Sequence, residues 1–140
     1  TLSEQDIIAP LDMPARFQAG FRNYPGAAGL EASMRYILRI RLDEIRKKNM
    51  KVAGVLREEI AKIPGVKVHG PEDPDKRTSI VTFMPPSDPS EVVKKLEQSS
   101  VIFAAREIGG GRKAVRAAPH FFNTEEEAAT AAIYVKSLLR

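Results

Sequence analysis

The sequence predicts an α+β fold, a two-layer sandwich in which a small, mostly antiparallel sheet carries its helices on one face. Three observations predict it. Hydrophobic periodicity along the chain runs helix, helix, strand, strand, helix, strand, strand, helix. Every strand-like run is short and is bounded by Pro, Gly or Ser signals. The 140 residues are 43% hydrophobic and 29% charged, a balance that builds a core and does not resemble a disordered tail.

Residues 1–25 read as irregular, punctuated by Pro10, Pro14, Gly20 and Pro25. Residues 26–140 read as one α+β domain. After Pro25-Gly26, the residues Ala28, Leu30, Met34, Ile37, Leu38 and Ile40 recur at three and four positions, the period of one helix face. A second helix starts near Leu42, with Ile45, Val52, Leu56, Ile60 and Ile63 as its stripe, and Pro64-Gly65 stops it. Strands are expected over 66–69 and 79–84, separated by a charged turn over 72–77. Asp88, Pro89 and Glu91 form a helix start, with Asp88 as cap and Glu91 reaching back as in a capping box. Two further strands are expected over 101–105 and 113–117, joined by a tight reversal at Gly109-Gly110-Gly111. Asn123 and Glu126 make the cap pair of a last helix, with Ala128, Ala132, Val135 and Leu139 inward.

Composition narrows the chemistry. With no cysteine, the chain supplies no disulfide, no thiolate zinc site and no thiol nucleophile, which fits a reducing, cytoplasmic setting. No apolar run nears the ~18 residues of a membrane span, and residues 1–25 hold no stretch that reads as a signal-peptide h-region. Its first residue is Thr1, compatible with a piece of a longer protein. The net charge of +4 is spread as alternating signs along helices, with only three Tyr and six Phe, so neither a nucleic-acid face nor a membrane is expected as partner. His69 and His120 lie far apart without acidic partners at ligand spacing, which leaves no metal constellation; His120 reads as a turn residue. The triple glycine lacks the Walker pattern and joins two strands, so it reads as a hairpin turn. Lys113 is exposed in that turn, an environment unlike that of a Schiff-base lysine. Arg116 stands inside an apolar strand, where a planar guanidinium suits a carboxylate held by two parallel hydrogen bonds; an outward or locally paired arginine fits the same pattern.

Two segments carry a family resemblance. Arg16-Phe17-Gln18-Ala19-Gly20-Phe21-Arg22-Asn23, followed by Pro25-Gly26-Ala27-Ala28-Gly29-Leu30, resembles the R-F-E-x-G-T-x-N…G-x-x-x-L segment of class V aminotransferases. Val115-Arg116-Ala117-Ala118-Pro119-His120-Phe121-Phe122-Asn123-Thr124-Glu125-Glu126-Glu127 resembles their V-R-x-S-P-H-x-Y-N-T-x-E-E signature. These are pyridoxal-phosphate enzymes, among them cysteine desulfurases, selenocysteine lyases and isopenicillin N epimerase-like proteins.

The resemblance implies the C-terminal small domain of such an enzyme, acting on an amino-acid substrate. A large domain, absent from this chain, would supply the cofactor-bearing lysine, and the intact enzyme would be a homodimer. Arg116 falls on the arginine that binds the substrate α-carboxylate, and Arg106 lies near a second active-site arginine. Gly20, Phe21 and Asn23 would approach the partner subunit's cofactor phosphate. Three departures qualify this. Phe21 replaces the threonine that bonds the phosphate, Ala118 replaces a serine, and the short segment over 107–112 has no cysteine, which excludes persulfide chemistry from this loop. The isolated chain is expected to be inactive. The competing expectation is a stand-alone α+β module that binds a small carboxylate or a protein partner without catalysis.

Overall fold

A computed structural model describes residues 12–17 and 20–139. The chain forms two compact units, Thr1–Arg39 and Ile40–Arg140, where the sequence reading drew its boundary at 25/26.

The first unit holds a short 3-10 turn, Ala15–Phe17, and helix α1, Tyr24–Ile40, whose last residue belongs to the second unit. Asn23 caps α1, its Oδ1 accepting from the Gly26 amide at 2.9 Å. A Cβ on residue 26 would collide with the Asn23 side chain, so the cap requires glycine there. No residue of α1 is buried.

In the second unit, Arg41 breaks the helix in a left-handed conformation (φ 77°), and its guanidinium grips the Asp43 carboxylate. Helix α2, Leu42–Ala61, follows. Strands β1 (Lys67–His69) and β2 (Val81–Met84) precede α3 (Pro89–Gln98), and β3 (Ala104–Glu107) and β4 (Lys113–Ala117) precede α4 (Glu125–Leu138). The order of elements is the one expected. The four strands form one sheet in the order β1-β2-β4-β3, with every neighbouring pair antiparallel.

Strand alternation sorts the sheet into two faces. Val68, Val81, Phe83, Val115 and Ala117 pack on one face against Val52, Leu56 and Ile60 of α2, Val92 and Leu96 of α3, and Ala128, Ala132 and Val135 of α4. The other face carries a row across all four strands, His69, Thr82, Arg116 and Ala104, set by the ladder register.

The structure shifts three expected boundaries, each for a local reason. The Val66 amide closes the Pro64-Gly65 turn on the Ile63 carbonyl at 3.2 Å, so β1 starts one residue later. The Ile80 amide bonds the Thr78 hydroxyl, so β2 starts at Val81. Helix α3 ends in a Schellman closure, with Ser100 left-handed (φ 59°), its amide on the Glu97 carbonyl and the Val101 amide on the Leu96 carbonyl. That closure takes Val101 out of the ladder, and β3 runs over Ala104–Glu107 instead of 101–105.

Both expected caps are also revised. Asp88 caps α3 through the Ser90 amide at 2.6 Å, but no bond returns from the Glu91 side chain. At α4 the cap is Thr124 with Glu127, not Asn123 with Glu126. Asn123 is already engaged, because its Oδ1 accepts from the His120 amide at 3.0 Å. The Thr124–Glu127 capping box is complete in both directions, at 3.1 and 3.0 Å. Thr124→Ala is expected to cost about 1 kcal/mol, read as a fall of a few degrees in Tm; an unchanged Tm would show that the box is idle.

Candidate functional site

Arg116 occupies β4, one strand in from the edge, on the face opposite the helix layer. The ladder places Thr82 on one side of it and Ala104 on the other. Both neighbours are small, so the strands beside the guanidinium leave it room. The side chain is partly buried, and its Nε is fully buried with no hydrogen-bond partner. Among the described residues no carboxylate pairs with it. A buried donor without an acceptor costs stability. Of the alternatives the strand pattern also allowed, local pairing is absent among the described residues, while the side chain does lie on the face away from the helices.

Arg106 lies inside β3 opposite Ala114, whereas the strand expected over 101–105 stops one residue short of it. The shift follows from the Schellman closure that delays β3. Since Arg116 pairs with Ala104 and Arg106 with Ala114, the two arginines occupy one face, diagonally across adjacent strands. Arg106 is exposed, and its terminal nitrogen donates to the Ala105 carbonyl at 3.1 Å.

The segment after β4 fixes this strand to α4. The His120 amide donates to Asn123, the Asn123 amide nitrogen donates to Glu127 at 3.2 Å, and Glu127 closes the capping box with Thr124. The Thr124 amide, and secondarily the Asn123 side chain, hold the Glu127 carboxyl below its usual range. The N-T-E-E-E run that the sequence reading treated as part of a signature is thus a lock on the chain leaving Arg116. His120 is exposed and packs its ring on Phe121 and Phe122, with centroids at 4.9 and 5.4 Å, the turn residue expected.

The triple glycine is a hairpin turn. Gly109, Gly110 and Gly111 all have positive φ, and the Ile108 amide meets the Arg112 carbonyl at 2.9 Å across the turn. Lys113 is exposed beside it, its amine 3.4 Å from the Ser90 hydroxyl.

Gly20, Phe21 and Asn23 belong to the first unit, Arg106 and Arg116 to the second. Gly20 is left-handed (φ 79°). The Phe21 ring is 90% exposed and meets Tyr24 edge-on at 5.4 Å. Asn23 spends its carbonyl oxygen on the α1 cap. Sequence reasoning did not single out Thr82, although the alternation Val81-Thr82-Phe83 already marks it as the one outward polar side chain of β2. Among the described residues no cluster of His, Asp and Glu suits a metal, and no helix is long and apolar enough to cross a membrane.

Comparisons with known proteins bear on the fold and the family. A probable cysteine desulfurase of Methanothermobacter thermautotrophicus is 34% identical over 132 residues, 83% of this chain and 32% of that protein. A cysteine desulfurase from Thermococcus onnurineus superposes with a TM-score of 0.80 at 30% identity, over 90% of this chain and 34% of that one. A mutant of the lyase C-DES, with glycine covalently linked to its pyridoxal-phosphate cofactor, shares the fold with a TM-score of 0.72 at 22% identity, over 86% of this chain and 31% of that one. The chain spans about a third of the length of the relatives it matches. Residues 4–135 match the family described as Aminotransferase class-V, and the chain belongs to that family.

Proposed function

We propose that this chain is the small domain of a pyridoxal-phosphate enzyme acting on an amino acid, with Arg116 as the receptor of the substrate α-carboxylate. The observation that carries the reading is the buried, partnerless Nε of Arg116 on the face away from the helices. A carboxylate there would take two parallel hydrogen bonds from the fork and neutralise the charge. Arg106, on the same face, adds positive potential along the approach. Clamping the carboxylate fixes the amino acid's orientation, and so decides which bond at Cα is presented for cleavage.

When bound in the intact enzyme, pyridoxal phosphate supplies an electron sink for that bond. For that cofactor's phosphate, the contact this chain offers is the backbone ahead of α1. Gly20 is left-handed there, while the amides of the first turn of α1 are already taken, Gly26 by the Asn23 side chain and Ala27 by the Asn23 carbonyl. Phe21 brings no hydroxyl, so any such contact falls to main-chain N–H groups. In the homodimer we propose, this segment serves the partner subunit. The lysine that holds the cofactor, and the large domain around it, belong to sequence outside this chain. The relatives are named cysteine desulfurases, yet this chain has no cysteine, so a persulfide-forming thiol would have to come from elsewhere.

The test is the visible spectrum of the 140-residue chain after incubation with pyridoxal phosphate and gel filtration. A colourless protein that turns over no amino acid is expected. A retained yellow band, or amino-acid turnover by the monodisperse chain, would overturn the reading.

A further inference from the structure

Helix α2 and the β1–β2 connection enclose a cleft of about 480 Å³ whose ionisable lining residues are all basic types: Arg57, His69, Lys76 and Arg77. The connection also carries Glu72, Asp73 and Asp75, but none of the three lines the cleft. Asp73 is engaged locally, accepting from the Asp75 amide and pairing with Lys76. Charge is therefore sorted, with cations facing in and carboxylates elsewhere.

Arg57 and Arg77 are both partly buried. Among the described residues neither has a carboxylate partner. Arg77 is held by the carbonyls of Pro71 and Glu72, and Arg57 reaches the His69 carbonyl at a long 3.4 Å. Those bonds orient the two guanidiniums without neutralising them. Burial, and after it the charge of Arg77, lower the pKa of Arg57, so the two cations repel each other in a partly desolvated space. An oxyanion between them would turn that repulsion into attraction on both sides.

The wall of the cleft supports a ligand as well. Gly54 lies in the interior of α2, where glycine costs about 1 kcal/mol relative to alanine. Packing does not demand it, because a Cβ there would meet nothing within 4 Å. Its effect is to open the wall beside Met50 and Ala53, which with Ile80 give the cleft an apolar side. The volume is within the range of small-ligand sites, about 300–1,000 Å³.

We propose that this cleft binds a small organic phosphate, its phosphate bridging Arg57 and Arg77 and its apolar body lying on Met50, Ala53 and Ile80. The proposal goes beyond the carboxylate reading of Arg116 and does not rest on it. Arginine suits the role because its planar fork matches phosphate oxygens, where lysine offers only a point charge.

The test is titration of the 140-residue chain with phenyl phosphate and, separately, inorganic phosphate, at constant ionic strength, followed by amide NMR. Phenyl phosphate is expected to shift the amides of Gly54, Arg57, Gly70 and Arg77, and to bind about tenfold more tightly than inorganic phosphate through its apolar contact. Arg57→Gln should weaken binding about tenfold or more, the loss of a charge-assisted bidentate contact. Arg77 also secures the connection, so the second variant is Gly54→Ala, which should raise Tm yet weaken phenyl phosphate. Arg116→Gln should leave these shifts in place. The absence of shifts at the cleft, equal affinity of the two probes, full binding by Arg57→Gln, or shifts abolished by Arg116→Gln would each overturn the proposal.

Discussion

Arg116→Lys in the full-length enzyme is expected to raise the substrate KM by about 10–100-fold, the loss of roughly 1.5–3 kcal/mol carried by a charge-assisted bidentate contact. An ammonium keeps the charge but offers no parallel pair of donors, and its shorter reach leaves the carboxylate loosely oriented. A contact made equally in ground and transition states shows in KM, whereas orientation of the Cα bond shows in kcat. A fall in kcat smaller than the rise in KM is therefore the expected pattern. Loss of activity alone would not separate a binding residue from a structural one, so the isolated chain supplies the control. Arg116→Met removes a buried donor that has no partner and keeps much of the apolar stem. It is expected to leave Tm unchanged or raise it, since an orphaned buried group costs about 1–3 kcal/mol. Unchanged kinetics in Arg116→Lys, or a large fall in Tm in Arg116→Met, would make Arg116 a structural residue.

Most of this architecture is legible in the sequence because period and punctuation agree. Helix α2 repeats its apolar residues on one stripe and stops at Pro64-Gly65, and β4 sits where the pattern puts it. The errors fall where two residues compete for one local role. Asn123 and Thr124 are both good caps, and only the bond from His120 to Asn123 shows which is already in use. Val101-Ile102-Phe103 reads as strand by residue type, yet Ser100 adopts a left-handed conformation that nothing but the α3 closure requires. The site follows the same division. Alternation and a cation in the interior of an apolar strand make Arg116 conspicuous, but its missing partner is a property of the folded sheet. The first unit gives less: Gly20, Phe21 and Asn23 owe their assignment to a motif, and the structure adds only a cap and an exposed ring. Arg57 and Arg77 are 20 positions apart in sequence, and they line one cleft only because α2 packs beside β1 and β2.

Phe83→Ala is expected to remove about 3–5 kcal/mol, a large part of the roughly 5–15 kcal/mol that holds a domain folded. Phe83 is 0% exposed and sits in β2, paired with Val68 on one side and Val115 on the other. Its ring meets Phe103 edge-on at 6.3 Å, and it belongs to the cluster that joins α2, α3 and α4 to the sheet. Truncation removes that aromatic contact and leaves a cavity that three helices and two flanking strands can only partly close. A fall in Tm of about 10 °C or more should follow, given a few degrees per kcal/mol for a domain of this size. Phe122→Ala is the matched control, because that ring is 72% exposed and should change stability by less than about 0.5 kcal/mol. The consequence reaches the site through one residue of sequence. Thr82, next to Phe83, is the ladder partner of Arg116, so loosening the core face of β2 loosens the strand pair that sets the guanidinium on the other face. Faster amide exchange at Thr82 and Arg116 in Phe83→Ala, beyond the change in Phe122→Ala, is the expected signature. Equal stability in the two phenylalanine variants would contradict the two-layer packing itself.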